Sequence, residues 1–380
     1  MDSPPDVFSP ARLGPLTLRN RIIKAATFEA ATPESLVTDD LINYHRRPAA
    51  GGLGMTTVAY LAVTPGGRTQ GKVIWMRPEA VPGLQRLTDA IHAEGALISA
   101  QIAHAGPVAD AGSNGVEALA PMTTKRFRAA TRADIDDVVA AHARAARFAI
   151  DAGFDAIEIH LGHNYFCSAF LSPLLNRRDD EFGGSLANRA KVARAVVAAV
   201  REAVDDAGAG KIAVTAKLNM ADGVDGGITV EESLQTAHWL QDDGGLDAIE
   251  LTAGSSLVNP MYMFRGGAPG KDVPQLAKIM REYPYHDAYL LDDARQFRAE
   301  LSLPLVLLGG ITNRAAMDLA MAEGFDFVAM GRALLAEPDL LNRIKADGAA
   351  HTVTSVCTHT NDCMMTIYSH THCVLTGAPD

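Results

Sequence analysis

Cysteine is scarce, long apolar runs are absent and positive charge is in deficit. Each shortage narrows what the chain can be. Four cysteines in 380 residues are too few for a disulfide scaffold. No run of 18 apolar residues occurs, so no membrane span is expected. Lys and Arg total 34 against 45 Asp and Glu, and the net charge of −11 disfavours nucleic acid or an anionic membrane as a partner. The opening MDSPPDVFSPARLGP lacks a basic start and an apolar core, so no signal peptide is expected and the protein is assigned to the cytoplasm. The expected partners are a small-molecule substrate and, in a homo-oligomer, copies of the chain itself.

What is present is a repeated phrase. A helical stretch ends at a glycine and a short apolar strand follows. It occurs as IHAEGALISAQI (91–102), AIDAGFDAIEIH (149–160), LQDDGGLDAIELT (240–252) and AMAEGFDFVAM (320–330), with a looser copy at 48–60. The glycine caps the helix, where positive φ is needed. The apolar run suits a strand buried on both faces. NRIIKAAT (20–27), KIAVTAKL (211–218) and LPLVLLGG (303–310) bring the strand candidates to eight. Helical patterns alternate with them, notably 133–152 and 186–206, the latter with Ser185 as its N-cap. Eight βα units predict a closed (β/α)8 barrel of the α/β class in one domain over residues 1–350, followed by a short cysteine-containing tail over 351–380. An open doubly wound sheet is disfavoured, because no GxGxxG follows the first strand. Segments 103–131 and 253–300 do not fit the repeat and are expected to shape the pocket.

In such a barrel the C-terminal strand ends converge on one mouth. There the sequence places Ala25, Ala26 and Thr27, then Tyr60, Gln101 and His104. Strand four contributes His160, His163 and Tyr165, and strand five Lys217 and Asn219. Gly309-Gly310 and Gly331-Arg332 close the last two strands. Paired glycines there suit a phosphate, with Arg332 forking onto its oxygens. No paired carboxylates stand at the strand ends, no Ser or Cys lies in a nucleophile elbow, and the His pair lacks a third metal ligand, so no metal is assigned. Neutral donors with one cation suit a substrate oxygen that becomes anionic beside a redox cofactor.

These residues carry a family resemblance. FSPARLGPLTLRNRII (8–23), IHLGHNYFCSAFLSPLLNRRDDEFGGSLANR (159–189) and AMGRALLAEPDL (329–340) resemble the old yellow enzyme family of FMN-dependent oxidoreductases. The first looks like the family's opening strand. Dienoyl-CoA reductase and trimethylamine dehydrogenase are relatives of the same family. The resemblance implies FMN as cofactor and NAD(P)H as reductant. It implies that His160 and His163 bind the carbonyl oxygen of an enone while Tyr165 protonates the α-carbon, making the protein an ene-reductase. Ala25, Ala26, Thr27, Tyr60, Gln101, His160 and Lys217 match positions around the flavin ring, and the glycine pairs with Arg332 match its phosphate site. Phe28, Tyr60 and Lys217 depart from the common pattern, where arginine usually replaces the lysine. Tyr60 instead resembles the amine-oxidising branch, so an amine dehydrogenase or N-demethylase is the enzyme alternative. A flavin-free phosphate-binding barrel is the alternative of another class.

The tail SVCTHTNDCMMTIYSHTHCVL (355–375) resembles the region where some relatives bind a [4Fe–4S] cluster through four cysteines. Cys357, Cys363 and Cys373 remain and Thr360 replaces the second, so a relic of such a site is expected. The charged run from Arg177 to Glu181 is read as a structural turn.

Overall fold

The computed structural model describes residues 3–208, 210–269 and 281–377. Eight parallel strands close into one barrel: β1 (Ile22–Lys24), β2 (Met55–Ala62), β3 (Leu97–Ala103), β4 (Ala156–Leu161), β5 (Ala213–Asn219), β6 (Ala248–Thr252), β7 (Leu305–Leu308) and β8 (Phe327–Met330). Each falls on one of the eight expected strand stretches, with β2 to β5 running one or two residues past their C-terminal bounds. Around them run α1 (Asp39–Ala50), α2 (Val81–Ala93), α3 (Arg132–Asp151), α4 (Lys191–Asp206), α5 (Val230–Asp242), α6 (Leu291–Glu300), α7 (Arg314–Ala322) and α8 (Leu340–Asp347). No described helix is long and apolar enough to cross a membrane.

The phrase works through two residues. Its glycine turns the chain at positive φ, +82° at Gly153 and +83° at Gly324. Two places on stands an aspartate whose carboxylate accepts an N–H from the first or second residue of the preceding strand. Asp155 takes Ile98 N at 2.8 Å, Asp247 takes Val214 N at 2.7 Å, and Asp326 takes Leu305 N at 3.0 Å. The same carboxylates pair with His92, Arg201 and Arg298 from the outer helices. The phrase therefore encodes a clip that fastens strand to helix at the foot of the barrel.

Two expectations need correction. The stretch 8–23 does not run as one strand. Ala11–Leu13 and Leu16–Leu18 fold back as an antiparallel hairpin, and only Ile22–Lys24 enters the barrel. Leu13 and Leu18 are fully buried against Ala156, Ala213 and Ala248 at the strand starts, so the hairpin is the barrel's floor. The turn requires Gly14, at φ +54°, because a Cβ there would lie 2.6 Å from the Asp247 carboxylate carbon. The helix expected over 186–206 is broken into Leu186–Arg189 and α4. At the break Arg189 is 4% exposed and bonds to the Leu171 carbonyl and Glu232. Ser185 does cap the first piece, accepting from Asn188 N at 3.3 Å.

The strand-three excursion carries a two-stranded parallel ribbon, Ala118–Ala120 with Phe127–Ala129. Arg178 anchors it, donating to the carbonyls of Pro121 at 3.0 Å and Ala130 at 2.8 Å. That places the charged run in the structural role expected of it. The tail crosses the face on which the strands end. Asn361 donates to the Phe264 and Gly267 carbonyls, and Thr371 N donates to the Glu29 carbonyl.

Candidate active site

Alternation along the strands decides which side chains line the barrel interior. In β4, Ile157, Ile159 and Leu161 pack outward among the helices, so Ala156, Glu158 and His160 point in. The same parity turns Thr215, Lys217 and Asn219 inward from β5, and Glu250 and Thr252 from β6. His160 and Lys217 face each other across the β4–β5 pairing.

Beyond β4 the chain makes a tight reversal, with His163 at φ +59° and Asn164 at φ +57°. Two successive non-glycine residues in the left-handed region need external support. Asp222 supplies it. Its carboxylate accepts from Asn164 Nδ2 at 3.2 Å, Asn219 Nδ2 at 3.0 Å, Ser172 Oγ at 2.5 Å and Ile228 N at 3.2 Å. Asn219 Oδ1 in turn receives His163 N at 3.1 Å. Burial raises Asp222 above the usual carboxylate range, against the pull of those donors. The sequence reading missed Asp222. The asparagine in HLGHN, a residue that tolerates left-handed backbone, was the available signal.

The reversal stacks three rings at the mouth. His160 lies 5.0 Å from His163 and 4.6 Å from Tyr165 between ring centroids, all edge-on. His163 Nε2 is 3.0 Å from the Thr252 hydroxyl. When that hydroxyl donates, Nδ1 carries the ring proton and becomes a donor. Nδ1 of His160 is buried without a partner. Burial, then the Lys217 charge, pushes His163 down to about 3, and burial also lowers His160. Both imidazoles are therefore neutral at physiological pH. Burial raises the Tyr165 phenol above its ordinary range, so it stays protonated. Tyr60 packs edge-on to Tyr165 at 5.2 Å, and Phe28 and Trp75 join the same aromatic cluster. The Tyr60 hydroxyl faces away, donating to the Gly67 carbonyl at 2.9 Å and accepting from Thr69 N at 2.8 Å.

Beneath the trio lies a charge cluster that the sequence reading did not find. Lys217 Nζ is 2.8 Å from Glu250 and 3.4 Å from Glu158, with all three side chains nearly water-free. Gln101 Nε2 donates to Glu158 at 2.7 Å, which leaves its carbonyl oxygen as an acceptor. The absence of paired carboxylates was expected at the strand ends, and Glu158 and Glu250 lie inside their strands, with His160 and Thr252 beyond them. Burial disfavours the lysine's charge, but the two glutamates outweigh it and raise Lys217. Burial lifts Glu250 to about 7 against the pull of Lys217.

Ala25 is buried, with Ala26 and Thr27 partly exposed beside it. Two strands away from β1, Gly309 and Gly310 after β7 both take positive φ, and Ala288 N donates to the Gly310 carbonyl. Gly331 opens the short helix Arg332–Ala336, which has no side-chain cap. The Arg332 guanidinium reaches the Arg265 carbonyl and Asn361, so a phosphate would share it with the tail. Among the described residues no group of three or more His, Cys, Asp or Glu side chains is arranged to hold a metal ion. Cys357 lies 3.7 Å from His359 Nδ1, and the His359 ring stacks on Tyr285.

The closed parallel barrel thus carries buried neutral imidazoles and a protonated phenol above a buried lysine. The chain belongs to the NADH:flavin oxidoreductase / NADH oxidase family, the old yellow enzyme family, which it matches over residues 6–263. FMN is its cofactor and NAD(P)H its reductant, which removes the flavin-free alternative. It is 51% identical to the 4,4'-dithiodibutanoate disulfide reductase of Rhodococcus erythropolis, over 98% of this chain and 96% of that one. It is 35% identical to a metal reductase of Desulforamulus reducens over 89% of this chain, but spans only 48% of that protein's length. Among solved structures it resembles a 2-naphthoyl-CoA reductase complex, with a TM-score of 0.82 and 24% identity over 98% of this chain and 57% of the other.

Proposed function

We propose that the protein is an ene-reductase that transfers a hydride to the β-carbon of an alkene conjugated to a carbonyl. The observation that carries this reading is the His160–His163–Tyr165 stack, two neutral imidazoles and a protonated phenol around one opening. The donors present also fit a flavin. His160 Nδ1 lacks a partner, Gln101 keeps a free acceptor, and the helix after Gly331 is uncapped. Ala25, Ala26, Thr27, Tyr60 and His160 would border the ring, Gln101 and Lys217 its polar edge, and Gly309, Gly310, Gly331 and Arg332 its phosphate. When bound, FMN accepts a hydride from NAD(P)H and returns it to the substrate.

The chain's own residues do the rest. His160 and His163 donate to the carbonyl oxygen, and these bonds strengthen as negative charge develops there. Thr252 fixes the His163 ring. Tyr165 delivers its proton to the α-carbon. The aromatic wall of Phe28, Tyr60 and Trp75 excludes water from the developing enolate. Because both histidines are neutral, substrate reduction should be flat from about pH 6 to 8. A fall through the ordinary histidine range, followed by stopped-flow, would show an imidazolium clamp instead.

A second reading has its own support in the 51% identity to a disulfide reductase. A hydride delivered to one sulfur of an organic disulfide releases the other as a thiolate. Tyr165 protonates that thiolate, and His160 and His163 hold a substrate carboxylate. Anaerobic stopped-flow separates the two. The reduced holoenzyme is mixed with cyclohexenone or with 4,4'-dithiodibutanoate, and flavin reoxidation is followed by absorbance. Faster reoxidation by the enone supports the ene-reductase, faster reoxidation by the disulfide supports the second reading, and no reoxidation by either defeats both.

A further inference from the structure

Outside the barrel, β1, α1 and the tail enclose a cavity of about 220 Å³. Lys24, Tyr44, Arg47, Leu334, Pro338 and Thr371 are among the residues that line it. Lys24 points away from the barrel interior, because its neighbours Ile23 and Ala25 pack among the inward residues of the other strands. The lysine is 1% exposed and its Nζ has no hydrogen-bond partner. The Tyr44 and Thr371 hydroxyls are also buried and unpartnered. The ammonium sits 4.6 Å over the Tyr44 ring. Glu29 attracts the ammonium but makes no hydrogen bond to it, its carboxylate accepting from Ala59 N at 2.8 Å and contacting His45 at 3.0 Å.

A buried ammonium with no hydrogen-bonded counter-ion is costly, so a further group that answers its charge at this position would be stabilising. Water could satisfy the hydroxyls but supplies no negative charge. The cavity also holds several times the roughly 30 Å³ share of one water. Burial lowers Lys24 to about 8, which leaves it mostly protonated at neutral pH. We propose that this cavity is an anion site, separate from the flavin site, that binds a small oxyanion of phosphate size between Lys24, Tyr44 and Thr371. The bound anion would tie the tail to α1 and β1. No redox or covalent step is involved.

The test uses FMN-saturated holoenzyme, so that the cofactor's own phosphate position is filled. Calorimetric titration with inorganic phosphate should show one saturable site per chain, with succinate as a carboxylate probe and chloride as control. Phosphate binding with little response to succinate marks a phosphate-type site. The reverse order marks a carboxylate site of the same oxyanion chemistry. Lys24→Met should weaken binding about tenfold or more, and Tyr44→Phe by about fivefold. Both should keep the wild-type rate of flavin reoxidation. Phosphate should also slow hydrogen exchange in residues 369–376 of the wild type. If Lys24→Met does not fold, Tyr44→Phe and the exchange data decide. No saturable heat with either oxyanion up to tens of millimolar, or equal affinity in wild type and variants, overturns the proposal.

Discussion

Lys217→Met should destabilise the protein by about 3–5 kcal/mol at neutral pH and release most of its flavin. The substitution leaves Glu158 and Glu250 buried together without the cation that lies 3.4 Å from the first and 2.8 Å from the second. Two buried carboxylates cannot both stay charged, so at least one must take up a proton. The penalty therefore depends on pH. Glu250 already sits high, at about 7 against an ordinary value near 4.5. A carboxyl raised on folding stabilises the fold fully below its unfolded value, and that contribution is lost as pH rises through the folded one. Removing Lys217 raises these carboxyls further, so the deficit should be small near pH 5 and largest above pH 7. Urea unfolding of wild type and variant across that range measures it. A pH-independent difference would mean that the lysine acts by packing alone. Lys217→Arg should retain the fold, since the charge survives, although the planar fork fits the two glutamates differently.

Tyr165→Phe should slow substrate reduction by about 10²- to 10⁴-fold while leaving flavin reduction by NAD(P)H at its wild-type rate. On the proposed assignment the phenol would be the proton source of the second half-reaction only. The ring is retained, so its edge contacts with His160 at 4.6 Å and Tyr60 at 5.2 Å should persist and the fold should be unchanged. Single-turnover stopped-flow resolves the two halves. Equal slowing of both would contradict the assignment, and no slowing of either would move the acid to another group.

Much of the candidate site was legible because its residues lie in the C-terminal halves of buried strands. His160, Gln101 and Lys217 follow apolar runs that cannot be solvated on either face, so their polarity stood out against the pattern. The repeated glycine phrase was legible for the same kind of reason, since a positive-φ cap leaves a local trace. Asp155, Asp247 and Asp326 shared that phrase, yet their role as clips depends on partners 21 to 57 residues away. Glu158 and Glu250 were harder still. A glutamate one step inside a strand looks like an outward polar residue until the barrel closes and turns it toward Lys217. Arg332 matched a phosphate position by spacing, but its reach to Arg265 and Asn361 depends on a tail that returns across the mouth.

By itself the sequence determined the eight βα units, the strand ends where polar residues gather, and the family that this order identifies. Periodicity, helix caps and strand hydrophobicity act over a few residues, and the chain records them directly. Tertiary structure alone decided that the first segment folds into a floor, that Glu158 and Glu250 answer Lys217, and that Asp222 holds the His163–Asn164 reversal. It also brought Lys24 and the tail together around one cavity. Each of these joins groups distant in sequence inside a medium of low dielectric, where one unpaired charge outweighs any local preference.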